Sequence, residues 1–316
     1  MTAYDPDLAR LLEMIHQAAK PAFEALTPEQ ARQAYAASWD ILQPPAQEVA
    51  SVRDVTIHTD AGGLVLRIYR GAGTLASEVL PCTLYLHGGG WVIGNLESHD
   101  RLCRQLANEA RICVVAVDYR LAPEHRFPAA IDDSASAWRW LHEQASDLQI
   151  DSARLGVAGD SAGGNLAAVL ALMARDGALP PCKLQALLYP ATDLTAASAG
   201  YARVTASVPL TDKTMHYFID HYTPEASDRL DWRASPAFAA SFAGLPKSLV
   251  LTVAHDPLCE EGRDYARRLE AADVAVTSIH LADHMHGMLT QGKVVRAAVL
   301  MSGFVSQWIG QALRQD

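Results

Sequence analysis

The sequence predicts an α/β fold: a mostly parallel central sheet with helices on both faces and a helical cap above it. Three observations lead there. Continuous apolar runs alternate with helical stretches along most of the chain, the pattern of strands buried on both faces. An antiparallel pair with a period of two precedes them, and one interval of about sixty residues breaks the rhythm without a buried strand.

Residues 1 to about 45 read as helices. Leu8, Leu11, Leu12 and Ile15 recur at helical spacing, and Thr27-Pro28-Glu29-Gln30 is a helix start with proline at the first helical position. Pro44-Pro45 closes the segment. Alternation then marks Val52–Ile57 and Leu64–Tyr69, joined by the turn Ala61-Gly62-Gly63. Further strands are expected at Cys82–His87, Ile112–Asp118, Leu155–Gly159, Leu184–Tyr189, Leu249–Ala254 and Val274–His280. Helices are expected at Ser98–Glu109, Ala129–Gln144, Ala162–Arg175, Glu260–Ala271 and Val294–Leu313.

Between Tyr189 and Leu249 only the amphipathic stretch Thr211–Tyr222 reads as an element. A structureless run of that length inside a domain is improbable, so it is taken as an inserted cap. The expected organisation is residues 1–45 as the N-terminal part of the cap, 46–194 as the first part of the core, 195–245 as the cap insertion and 246–316 as the second part of the core.

The bulk properties exclude several partners. A net charge of −10 with no lysine-arginine run argues against nucleic acid and against an anionic membrane, and leaves a neutral small molecule as the expected ligand. Five cysteines without a CxxC pair fit neither a disulfide framework nor a zinc knuckle, and suit a reducing compartment. The first twenty residues carry Asp5, Asp7 and Glu13 and no apolar leader pattern. The longest apolar run, Leu166–Ala174, is too short to span a bilayer. A cytoplasmic protein is therefore expected.

Gly159-Asp160-Ser161-Ala162-Gly163 lies directly after an expected strand and directly before an expected helix. In that setting GxSxG is a nucleophile elbow, the mark of an α/β-hydrolase fold. The turn is so tight that glycine is needed on either side of the serine. The helix N-terminus beneath it favours developing negative charge.

His87-Gly88-Gly89-Gly90 stands 74 residues before Ser161, at the end of a strand. Acyl transfer passes through a tetrahedral oxyanion that needs preorganised N–H donors, and a glycine run lets them approach. The amides of Gly88, Gly89 and Ala162 are assigned as those donors. His87 is read as a brace for the loop, as are Asp160 and Glu124.

In this fold the acid and then the base follow the serine along the chain. Asp256 follows the strand Leu249–Ala254, and His286 comes 30 residues later. An imidazole must take the serine proton, and a carboxylate must orient it and stabilise the imidazolium. Asp283, Asp264 and Glu260 are rival carboxylates, but none ends a strand. His284 and His280 are rivals for the base. His284-Met285-His286 also resembles a metal pair, without a third ligand cluster to complete it. The expected catalytic residues are Ser161, Asp256 and His286, with no metal and no cofactor. Trp39, Trp91, Tyr189, Leu210, Met215, Leu258 and Met288 are candidates for the pocket lining.

Five stretches together resemble the hormone-sensitive-lipase-like family of bacterial carboxylesterases. They are His87–Gly94, Asp118-Tyr119-Arg120-Leu121-Ala122-Pro123-Glu124-His125, Gly159–Gly163, Asp256-Pro257-Leu258 and His286-Gly287-Met288, in order across about residues 50–290. The resemblance implies hydrolysis of short- to medium-chain carboxylic esters through an acyl-enzyme. It carries the nucleophile, acid and base onto Ser161, Asp256 and His286, and the oxyanion donors onto Gly88, Gly89 and Ala162. Two departures concern the pocket: Glu260-Glu261-Gly262 where the family has Asp-Glu-Gly, and Met288 where an aromatic is usual. Family members are often dimers through a sheet edge, so a homodimer is one option the resemblance offers. The alternatives are an amidase or deacetylase, or a lipase, using the same triad. A non-catalytic ligand-binding homologue is disfavoured because no triad position is lost.

Overall fold

The computed structural model describes residues 3–315. The chain opens with α1 (Pro6–Ala18), a 3₁₀ turn at Phe23–Ala25, α2 (Pro28–Ala36) and the single turn α3 (Trp39–Leu42). Thr27 and Gln30 cap α2 reciprocally, side chain to backbone in both directions. The antiparallel pair is β1 (Ser51–Thr59) and β2 (Gly62–Arg70). Then come β3 (Leu80–Leu86), α4 (Leu96–Ala110), β4 (Cys113–Val117), α5 (Ala129–Glu143), β5 (Ile150–Asp160), α6 (Ala162–Arg175) and β6 (Leu184–Leu188). After an interval with α7 (Ala199–Arg203) and α8 (Asp212–Tyr222), the chain closes with β7 (Lys247–His255), α9 (Cys259–Ala271), β8 (Val276–Met285) and α10 (Arg296–Arg314).

These strands form one eight-stranded sheet in the order β1-β2-β4-β3-β5-β6-β7-β8. Pairing is antiparallel from β1 to β4 and parallel from there on. Alternation along β4 divides the core. Cys113, Val115 and Val117 join the layer under α5, α6 and α9, whereas Val114 and Ala116 join the layer under α4 and α10. Every residue of β3 is buried, as a strand covered on both faces requires.

The interval between β6 and β7 holds no strand. Its helix α8 turns Met215 and Phe218 inward. It meets the N-terminal segment where Thr214 Oγ1 donates to Glu24 Oε2 at 2.8 Å and Phe23 packs on Phe218 at 6.0 Å between ring centroids. Two segments far apart in sequence thus form one cover.

The outer parts of both segments behave differently from expectation. Leu8 and Leu11 of α1 are buried in the core layer of α10, and Arg296 Nε donates to Asp7 Oδ2 at 2.8 Å. The end of the interval also returns to the core: Ala234, Phe242 and Leu245 are buried in the layer of α6 and α9. Asn165 Nδ2 of α6 donates to the carbonyls of Ala191 and Ala234, at 2.9 and 2.8 Å. The cover proper is narrower than residues 1–45 and 195–245 because an apolar helix face buries itself against the nearest apolar surface, and here that surface is the sheet's own helices.

The strand β8 runs on to Met285, past the expected end at His280. Its pairing with β7 shifts between Val253 and His255. Beyond Leu281 the alternation is lost in Ala-Asp-His-Met, which hides the continuation from a pattern reading.

Candidate active site

Four chemically distinct pieces sit at the C-terminal ends of parallel strands, where open α/β sheets place their sites. His87 follows β3 directly, Ser161 follows β5, Asp256 follows β7 and His286 follows β8.

The elbow forms because α6 packs too closely on β5 and β3 for side chains: a Cβ at Gly159 would lie 2.3 Å from the Gly163 carbonyl oxygen. A Cβ at Gly163 would lie 1.9 Å from the Leu86 carbonyl oxygen. Ser161 takes φ 57° and ψ −120°, a conformation that costs ~1–3 kcal/mol and persists only where surroundings enforce it. Its N–H donates to Leu188 O at 2.8 Å, which fixes the turn to β6.

His286 Nε2 lies 2.8 Å from Ser161 Oγ, and His286 Nδ1 lies 2.7 Å from Asp256 Oδ2. Asp256 carries no proton donor, so Nδ1–H donates to it and Nε2 is left to accept from the serine hydroxyl. Asp256 is fully buried and its other oxygen accepts the Leu258 N–H at 2.8 Å. Tyr189 packs against the imidazole at 4.7 Å between ring centroids. The rivals fall elsewhere. His284 Nδ1 lies 2.7 Å from Asp283 Oδ1 and His280 Nδ1 lies 3.0 Å from Thr252 Oγ1. Among the described residues no group of three His, Cys, Asp or Glu side chains is placed to hold a metal ion.

One expected donor is corrected. The Gly88 N–H donates to Asp160 Oδ1 at 3.0 Å and does not face the cavity. Gly89 and Gly90 do face it, and the amides of Gly89, Gly90 and Ala162 have no acceptor among the described residues. Gly89 adopts φ +126°, and a Cβ there would stand 2.1 Å from the Ile93 carbonyl oxygen. The triplet alone does not say which two amides point outward. Asp160, expected only as a brace, takes the first of them.

The loop is held from beneath. Asp160 also accepts from Tyr85 OH at 2.8 Å and lies 3.0 Å from His99 Nε2. Burial pushes the Asp160 carboxyl up, but His99 and the bonds from His99 and Tyr85 outweigh it and hold the group below the ordinary carboxylate range. His87 Nδ1 donates to Gly88 O at 2.8 Å, and burial presses its pKa down to about 3. A neutral brace results. From outside, Arg32 of α2 donates to Val92 O at 2.8 Å, to Ala122 O at 2.9 Å and to both oxygens of Glu124.

A cavity of about 140 Å³ opens over Ser161. Of the expected lining, Trp39, Leu210 and Met215 are in place. Trp91 instead stacks on Tyr222 at 4.6 Å, fastening α8 to the glycine loop. Tyr189 supports His286 from the side, and Leu258 and Met288 are buried in the core. Phe23, Tyr35, Ile93 and Phe218 line the cavity and were not anticipated. A signal existed for two of them. Phe218 lies three residues after Met215 on the amphipathic helix, and Tyr35 lies four before Trp39.

Residues 83–290 match the model of a family described by its α/β hydrolase fold. The ethyl acetate hydrolase of Pseudomonas putida is 38% identical over 301 residues, covering 93% of this chain and 94% of that protein. The carboxylesterase NlhH of Mycobacterium tuberculosis is 42% identical over 229 residues, covering 71% of each. The crystal structure of a thermostable esterase from Pseudomonas putida ECU1011 superimposes with a TM-score of 0.95 at 32% identity, covering 100% of this chain and 99% of that one. The chain therefore belongs to the α/β-hydrolase family, among the hormone-sensitive-lipase-like carboxylic ester hydrolases.

Proposed function

We propose that this serine esterase hydrolyses short- to medium-chain carboxylic esters with Ser161 as nucleophile, His286 as base and acid, and Asp256 as the group that orients His286. The observation that carries the reading is the unbroken run Asp256–His286–Ser161, at 2.7 and 2.8 Å, beneath a cavity that also receives the Gly89 and Gly90 loop. Ser161 Oγ attacks the ester carbonyl as its proton passes to His286 Nε2. The oxyanion takes hydrogen bonds from Gly89, Gly90 and Ala162. His286 then protonates the departing alcohol, and water activated by the same nitrogen releases the acid.

The size of the cavity supports the chain-length part. About 140 Å³ lies below the ~300–1,000 Å³ of clefts that take drug-sized ligands. Phe23, Met215 and Phe218 give it apolar walls, so each methylene that fits gains ~0.8 kcal/mol, roughly fourfold, until the space is full. The relative named for ethyl acetate hydrolysis points the same way. The five cysteines are unpaired and mostly buried, which suits a reducing compartment, and we place the enzyme in the cytoplasm. No described helix is long and apolar enough to cross a membrane.

The test is kcat/KM across p-nitrophenyl esters from acetyl to hexadecanoyl. The expected profile climbs towards butyryl or hexanoyl and then drops sharply. A maximum at sixteen carbons would replace this reading with a lipase.

A further inference from the structure

We propose that Tyr35 and Trp39 are the partition that sets the longest ester the site accepts. They separate the cavity over Ser161 from a larger groove that a longer chain would enter. The inference rests on the esterase reading above and assigns its size limit to two side chains.

Beside the 140 Å³ cavity lies a groove of about 530 Å³, lined among others by Arg32, Asp118, Arg120, Glu124 and His125. Tyr35 and Trp39 are the two residues common to both linings. They stand one helical turn apart where α2 ends and α3 begins, so their rings lie side by side. The rings meet edge to face, with centroids 6.0 Å apart and planes at 88°. The indole Nε1 of Trp39 is buried and has no hydrogen-bond partner among the described residues. Packing alone holds that ring in the wall, and no polar contact must break when it is removed. Of the charges lining the groove, Arg32 is matched by Glu124 and Arg120 by Asp133, while Asp118 has no ion pair among the described residues. Opening the wall would join the cavity to this larger space.

The experiment compares kcat/KM for p-nitrophenyl decanoate and butyrate in the wild type and in Tyr35→Ala, Trp39→Ala, Trp39→Phe and Phe218→Ala. Room for two further methylenes corresponds to roughly sixteenfold. The decanoate-to-butyrate ratio should therefore rise by at least about tenfold in Tyr35→Ala and Trp39→Ala. Trp39→Phe keeps a ring in the wall and should hold the wild-type ratio. Phe218→Ala enlarges the cavity away from the groove and should move the ratio less. If Trp39→Ala does not fold, Tyr35→Ala and Trp39→Leu carry the same expectation. An unchanged ratio in active variants, or an equal rise in Phe218→Ala, overturns the partition while the esterase reading stands. A wild type inactive on both esters would overturn the reading itself and the partition with it.

Discussion

The carboxylate of Asp160 accepts the backbone N–H of Gly88 at 3.0 Å, tying the residue before the nucleophile to the loop that faces it. One buried carboxylate thereby ties the glycine loop to the residue beside Ser161. Asp160→Asn keeps an oxygen for Gly88 but loses the charge that holds His99. It should cost stability by ~1.5–3 kcal/mol, the range for hydrogen bonds to charged groups. The loop should shift without losing a donor, so kcat should fall by less than the ~10²–10³ that removal of a whole oxyanion donor costs. Thermal melts and steady-state kinetics check both parts. A variant as stable and active as the wild type would show that the contact does not set the loop.

Asp256 and Asp283 each hold a histidine at 2.7 Å, yet only one of those histidines reaches Ser161. Asp256→Asn should let His286 adopt the wrong tautomer and lower kcat by on the order of 10⁴. Asp283→Asn should leave kcat within about twofold, since surface changes away from the reacting groups act weakly. The reverse pattern would move the acid from Asp256 to Asp283.

The Arg32–Glu124 pair fastens α2 to the segment Asp118–His125 and should do so in a pH-dependent way. Hydrogen bonds from Arg32 hold the Glu124 carboxyl down at about 2, against its ordinary 4.5. A depressed carboxyl contributes stability that is complete above the unfolded value and is lost as pH falls through the folded one. The difference in Tm between wild type and Glu124→Gln should therefore be constant above pH 4.5 and shrink towards pH 2. The pair is largely exposed, so the difference should be small and should narrow further in salt. A difference that persists unchanged to pH 3 would mean the ionised carboxylate is not what fastens the helix.

Much of this site was legible in the sequence because its geometry is imposed locally. Gly159 is required by the close approach of β5 and α6 and Gly163 by that of α6 and the end of β3, and these requirements leave a five-residue trace around Ser161. Asp256 and His286 are legible because each follows the end of a strand. The choice between Gly88 and Gly90 was not, because it depends on Asp160 reaching back across the sheet from 72 residues away. The lining was hidden for a related reason. Phe23, Tyr35 and Phe218 come from separate elements that meet only when the two parts of the cover fold together. A single residue's apolarity does not distinguish Leu258 in the core from Leu210 in the cavity.

The central claim is that Ser161 Oγ forms the covalent acyl-enzyme, and a phosphonate ester that mimics the tetrahedral intermediate tests it most directly. Treated protein should gain the mass of one phosphonyl group, lose esterase activity in proportion, and yield one modified peptide carrying Ser161. Ser161→Ala should take up no label, keep its fold, and turn over esters on the order of 10⁴–10⁶ more slowly. A label mapped to another serine, or more than about a tenth of wild-type activity left in Ser161→Ala, would contradict the mechanism derived from Asp256, His286 and Ser161.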